Sequence, residues 1–127
     1  MKSYILPLSD PGADLETVGG KGASLSRLAN AGLPVPDGFH ITTQAYRHFV
    51  SANHLQAGIL AALETVDASR PATLEEASRA IRRLFAGASI PSELASAIVE
   101  AYGSLPGSNP PVAVRSSATA EDLLGAS

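Results

Sequence analysis

Glycine stands at positions 19, 20 and 22 with Lys21 among them, directly ahead of a segment whose apolar residues fall at helical spacing. Three residues without a Cβ in four positions continue a helix poorly, yet they suit its start, where the chain can turn sharply and a ligand can come close to the backbone. At such a start the first N–H groups lack partners inside the helix and the macrodipole is positive, while Lys21 adds a mobile ammonium that can follow a phosphate. Two readings of Gly-Gly-Lys stand side by side: an anion site, and a glycine-rich turn with a solvated lysine. A P-loop is excluded. That motif needs glycine five residues before the Gly-Lys pair and Ser or Thr after the lysine; Leu15 and Gly22 occupy those places.

Around this turn the chain reads as short strands and helices. Tyr4 to Leu8 is a first strand, closed by Pro7 and the turn residues Ser9-Asp10-Pro11-Gly12. Leu25, Leu28, Ala29 and Gly32 fall at i, i+3, i+4 and i+7, an apolar stripe on a helix that Gly32 ends. Pro34 and Pro36 keep the next connection extended, Pro36-Asp37-Gly38 turns, and Phe39, His40 and Ile41 form a second strand with His40 on the face opposite the other two. Thr42 or Thr43 caps a helix carrying Tyr46, Phe49 and Val50, and Leu55, Ile59 and Leu63 mark a third.

Thr73-Leu74-Glu75-Glu76 has the arrangement of a capping box, followed by an inner face of Leu74, Ala77, Ile81, Leu84 and Phe85; Arg79, Arg82 and Arg83 then form a solvated outer face. Pro91 opens a further helix with Leu94, Ala97, Ile98, Ala101 and Tyr102 on its apolar side, until Gly103 stops it. A loop from Ser104 to Pro111 leads into Val112 to Ser117, read as a strand by its alternation. Arg115 lies near the end of that strand. Burying a guanidinium there is expensive unless it meets an anion, which makes Arg115 the second candidate phosphate ligand beside Lys21.

Length and charge narrow the function classes. With 127 residues, 45% hydrophobic and 17% charged, the chain has room for one ordinary globular domain. A net charge of −3 gives no basic surface for nucleic acid, and no run of apolar residues approaches the ~18 that a membrane span needs. There is no cysteine, hence no disulfide framework or thiolate metal site. The N-terminus lacks a signal-peptide core, and a cytoplasmic location is expected. His40, His48 and His54 stand singly, without a metal-ligand spacing, and read as structural or surface residues.

Val18-Gly-Gly-Lys21-Gly-Ala-Ser-Leu25, Gly32-Leu-Pro-Val-Pro36-Asp-Gly38-Phe39, Thr43-Gln-Ala-Tyr46 and Val112-Ala-Val-Arg115-Ser-Ser117-Ala-Thr-Ala-Glu121-Asp122 together resemble one family. It is the N-terminal nucleotide-binding domain of phosphoenolpyruvate synthases and pyruvate phosphate dikinases, the nearest branch being the rifampicin phosphotransferases and the PEP-synthase-like proteins similar to them. The resemblance covers essentially all of residues 1–127, and implies a partial domain that ends inside the family motif. It implies an α+β fold, the first subdomain of an ATP-grasp module, mostly helical with a few short strands.

It also implies a phosphotransferase that uses ATP to phosphorylate a histidine on a separate domain, and then pyruvate or a rifamycin hydroxyl. Lys21 matches the family lysine that contacts ATP phosphate, and Arg115 matches the strand arginine that reaches the nucleotide phosphates. No catalytic residue is assigned within the chain. Mg²⁺ ligands, a glycine-rich loop and the phosphohistidine are expected in the remainder of the ATP-grasp domain and beyond, so activity of this chain alone is not expected. Leu124 stands where the family commonly has proline. A different class of function is a free-standing truncated homologue that binds a nucleotide or a partner without chemistry.

Overall fold

The computed structural model describes residues 3–120, and Glu121, Asp122 and Leu124 lie outside the described residues. In chain order the elements are β1 (Ile5–Pro7), α1 (Leu15–Asn30), β2 (Phe39–Ile41), α2 (Thr43–Ala52), α3 (Gln56–Glu64), α4 (Pro71–Ala86) and α5 (Ser92–Gly103). The α+β class expected from the sequence is what these elements form. Two compact units divide the chain: one holds residues 3–46 and 92–120, the other residues 47–91.

In the first unit β1 and β2 pair antiparallel, with Ile5 opposite Ile41, Leu6 opposite His40 and Pro7 opposite Phe39. Pro7 donates no ladder bond and stands at the strand end, where that loss is tolerated. α1 lies against β2 and α5 against β1, with Leu94 of α5 buried. Alternation puts Leu6 and His40 on one face of the ribbon, and His40 is only 7% exposed while Ile41 is 51% exposed. The face carrying the histidine is therefore the inner one.

A buried polar cluster explains this choice. The Ser26 hydroxyl of α1 donates to the Leu8 carbonyl and lies 2.9 Å from His40 Nε2. Ser26 has one hydroxyl proton and Leu8 receives it, so His40 Nε2 carries a hydrogen and donates to Ser26. The cluster ties α1, β2 and the end of β1 through groups that burial would otherwise leave unsatisfied.

Small residues bring α1 this close. Its buried positions are Val18, Gly19, Gly22, Ala23 and Ser26, whereas Leu25 and Leu28, expected on its apolar stripe, are 38% and 43% exposed. A Cβ at Gly22 would come 3.2 Å from His40 Nδ1, so close approach to β2 outranks hydrophobicity on this helix. The C-terminus follows expectation. Gly32 sits at φ +81° after the capping residue Ala31, with Leu33 N–H donating to Leu28 O and Gly32 N–H to Ala29 O, the paired bonds of a Schellman motif.

The second unit is built on the packing of α3 against α4. Leu55 and Ala77 are buried, the Phe49 and Phe85 rings meet tilted with centroids 5.5 Å apart, and the Asn53 amide bonds both the N–H and the carbonyl of Ser89. Thr42 caps α2, its hydroxyl accepting from Ala45 N–H. The expected capping box at Thr73 does not form. α4 begins two residues earlier at Pro71, and the Thr73 hydroxyl instead serves the preceding turn, accepting from Asp67 N–H and donating to carbonyls there. Proline at the first helical position has its φ preset and lacks only an N–H that would have no helical partner, so the helix starts there. Arg79, Arg82 and Arg83 are exposed as expected, while Leu74 is 51% exposed rather than inward.

Burial of His40 depresses its pKa below the usual 6.5, outweighing the opposing pull of the Leu8 carbonyl and the Asp10 carboxylate. A histidine with a depressed folded pKa binds fewer protons when folded than when unfolded. Its contribution is complete above the unfolded value near 6.5 and is lost as pH falls through the folded value. The urea midpoint is expected to fall between pH 7.5 and pH 5.5 in the native protein, and to fall less in His40→Gln.

Candidate phosphate-binding site

The N-terminal turn of α1 is set by Asp14, whose carboxylate accepts from Thr17 N–H at 2.9 Å while Thr17 Oγ1 accepts from Asp14 N–H at 3.0 Å. The Thr17 bonds also hold the Asp14 carboxyl below its ordinary range. After one turn the helix breaks. Gly19 adopts φ +75° and ψ 176°, a conformation essentially confined to glycine, and the helix restarts behind it. The glycine cluster is therefore a helix start, as its composition suggests, although it lies inside a longer helical span.

Two N–H groups of this second start are occupied by the chain itself. Gly20 N–H donates to Ala118 O at 3.0 Å, and Gly22 N–H donates to Ser117 Oγ at 3.2 Å. The Ser117 hydroxyl in turn donates to Val18 O at 2.7 Å. Ser117, 95 residues away from Gly22 in sequence, thus acts as the N-cap that the local sequence does not supply. A Cβ at Gly19 would strike Ser117 Oγ and lie 2.9 Å from both Ala118 N and Ser117 C. Glycine here serves a backbone-to-backbone contact as well as a turn.

This corrects the first idea of the site, in which the glycines free backbone N–H groups for an anion. Those of Gly20 and Gly22 are engaged internally, so neither is open to an anion. It also corrects the element that carries Arg115. Residues 110–118 run without turn or bend, but among the described residues they form no strand, the sheet being β1 and β2 alone. Alternating valines give a segment the shape of a strand, whereas ladder bonds need a neighbour; here the hydrogen bonds at its end go to α1. Arg115 is exposed, so the cost of burying its charge no longer marks it out.

What marks it out is position. Lys21, exposed on the turn, sits between the two residues whose N–H groups donate to the segment. Arg115 precedes Ser117 by two residues, roughly 7 Å along a straight chain. An ammonium and a guanidinium fork on long stems are thereby carried by two segments bonded to each other. Tyr102, whose hydroxyl donates to Pro110 O at 2.6 Å, fixes the other end of the segment to α5. Ser117 and Tyr102 were not singled out as anchors by sequence reasoning.

Among the described residues no group of three or more histidines, aspartates or glutamates gathers to hold a metal, and no helix is long and apolar enough to cross a membrane. His40 is engaged with Ser26, and His54 adopts a positive φ of 54° at the end of α2.

An α+β domain with a lysine-bearing glycine turn bonded to an arginine-bearing segment defines a candidate binding element for phosphate. Residues 15–127 match the family described as pyruvate phosphate dikinase, AMP/ATP-binding domain. The chain belongs to that family. It is 47% identical to the probable phosphoenolpyruvate synthase of Methanocaldococcus jannaschii over 90% of this chain and 10% of that protein. The phosphoenolpyruvate synthases of Aeropyrum pernix and Pseudomonas aeruginosa are 46% and 44% identical, over 99% and 100% of this chain. The chain spans 16% and 17% of their lengths.

Gly19→Ala is expected to lower stability by several kcal/mol, because backbone strain of about 1–3 kcal/mol adds to contact with Ser117 and Ala118. Gly32→Ala, at φ +81° with open space around it, meets the backbone penalty alone. Urea denaturation of the two variants compares them directly, the Gly19 change having the larger effect.

Proposed function

We propose that this chain is the ATP-binding part of a phosphotransferase of the phosphoenolpyruvate synthase and pyruvate phosphate dikinase type, with Lys21 and Arg115 as its phosphate ligands. The observation that carries this reading is the bonding of Ser117 and Ala118 to Gly22 and Gly20, which joins the segment of Arg115 to the turn of Lys21. The family description, an AMP/ATP-binding domain, supplies the ligand class.

Phosphoryl transfer depends on positioning and on neutralising charge that develops on phosphate oxygens. Lys21 contributes an ammonium, and Arg115 a planar fork that can bind two oxygens at once. In this proposal the phosphoryl group passes to a histidine on another domain and then to pyruvate, in keeping with relatives named phosphoenolpyruvate synthase. The acceptor is pyruvate rather than a rifamycin hydroxyl in this reading, because the relatives' names support the former. The rest of an ATP-grasp module, the residues that hold Mg²⁺ and the phosphohistidine domain are proposed to lie in sequence corresponding to the part of the relatives that this chain does not span. A cytoplasmic location accompanies that role.

Calorimetric titration of ATP with Mg²⁺ tests the two ligands. Charge-assisted hydrogen bonds contribute about 1.5–3 kcal/mol each, so Lys21→Ala and Arg115→Ala should each weaken binding about tenfold or more. Unchanged affinity in both variants would overturn the assignment. A folded protein that binds no nucleotide would mean that these residues act only with the rest of the domain, or that the chain has given up nucleotide for another partner.

A further inference from the structure

We propose that Ser117 is a positioning residue, the lock that holds the segment bearing Arg115 against the turn bearing Lys21. The inference deepens the phosphate-site reading and rests on it for its consequence in ligand binding; the lock itself rests on geometry alone.

The Ser117 hydroxyl uses both of its roles at once, donating to Val18 O on one side of the Gly19 break and accepting from Gly22 N–H on the other. It therefore spans the break and satisfies a carbonyl that ends one helical piece and an N–H that begins the next. The adjacent Ala118 carbonyl accepts from Gly20 N–H, so the segment is held by a serine hydroxyl and a backbone group in consecutive residues. Only glycine at position 19 leaves room for this approach. Both partners are thus specified, the missing side chain on the turn and the hydroxyl on the segment.

The consequence follows from the chain's stiffness. Val112 and Val114 are 53% and 90% exposed, so little apolar burial holds this stretch in place. Its described anchors are the Tyr102 hydroxyl at Pro110 and the pair at Ser117 and Ala118. Arg115 lies between them. Removing the Ser117 hydroxyl leaves the Ala118 bond and the Tyr102 bond, frees the arginine to wander, and leaves Val18 O and Gly22 N–H without their partner. Lys21 and Arg115 then meet one polyphosphate only after ordering the segment, which lowers affinity without removing either charge.

The experiment compares Ser117→Ala with Ser117→Thr, which keeps the hydroxyl, in two readouts. Without ligand, amide hydrogen exchange at Gly22 and tryptic cleavage after Arg115 should both accelerate in Ser117→Ala and return toward the native rates in Ser117→Thr. With ATP and Mg²⁺, Ser117→Ala should weaken binding about tenfold. On an Arg115→Ala background the same change should cost little, because there is no arginine left to position. Such non-additivity separates positioning from general loss of stability, which would weaken both backgrounds alike.

Unchanged exchange and cleavage overturn the lock. Tighter nucleotide binding in Ser117→Ala also overturns it, since Ser117 would then be a competitor for the turn's N–H groups. A native protein that binds no ATP but shows the accelerated exchange and cleavage in Ser117→Ala, restored in Ser117→Thr, supports the lock, which rests on geometry alone, while nucleotide binding is then absent from this part of the domain.

Discussion

A helix that breaks and restarts exposes a fresh set of N–H donors, and the way this chain satisfies them shapes everything near the candidate site. At Gly19 the backbone turns through φ +75°, and the carbonyl of Val18 and the N–H groups of Gly20 and Gly22 require partners. Water or an anion could have supplied them. Instead Ser117 and Ala118 do, linking residues about a hundred positions apart. Local backbone strain of the kind only glycine tolerates is thereby matched to a long-range contact, and the exposed stretch before Ser117 acquires a fixed end.

The same economy of small residues governs the other side of α1. Gly22, Ala23 and Ser26 let the helix approach β2 closely enough for Ser26 to reach both Leu8 and His40. A helix face of leucines would have kept α1 farther away. One face of α1 is used for close polar contact, so Leu25 and Leu28 are left partly in solvent. Gly22 belongs to both arrangements, its N–H serving Ser117 and its missing Cβ making room beside His40. The turn of Lys21 is thus held from two directions.

Much of this chain's local structure was legible before any coordinates. Helix stops at Gly32 and Gly103, the strand at Phe39 to Ile41 and the helix start near Pro91 all follow from backbone chemistry confined to a few residues. Thr73 misled because a good cap sequence lay just after a proline, and the proline began the helix first. The stripe on α1 misled because periodicity reports hydrophobic spacing and carries no information about how near a neighbour must come. Val112 to Ser117 misled for a related reason: alternation describes a strand's shape, while a ladder also needs a partner.

For the candidate site, Lys21 and Arg115 were identified by residue type and by their surroundings in sequence, which are one-dimensional properties. Glycine content likewise fixed where the chain could turn, since φ above zero is a property of the residue itself. Which N–H groups were already taken could be decided only in three dimensions. The bonds of Ser117 and Ala118 to Val18, Gly20 and Gly22 depend on the folded path of the whole first unit, and no local rule relates residues so far apart. Sequence determined the charges and the turn; tertiary structure decided that the Gly20 and Gly22 amides bond the chain itself rather than an anion.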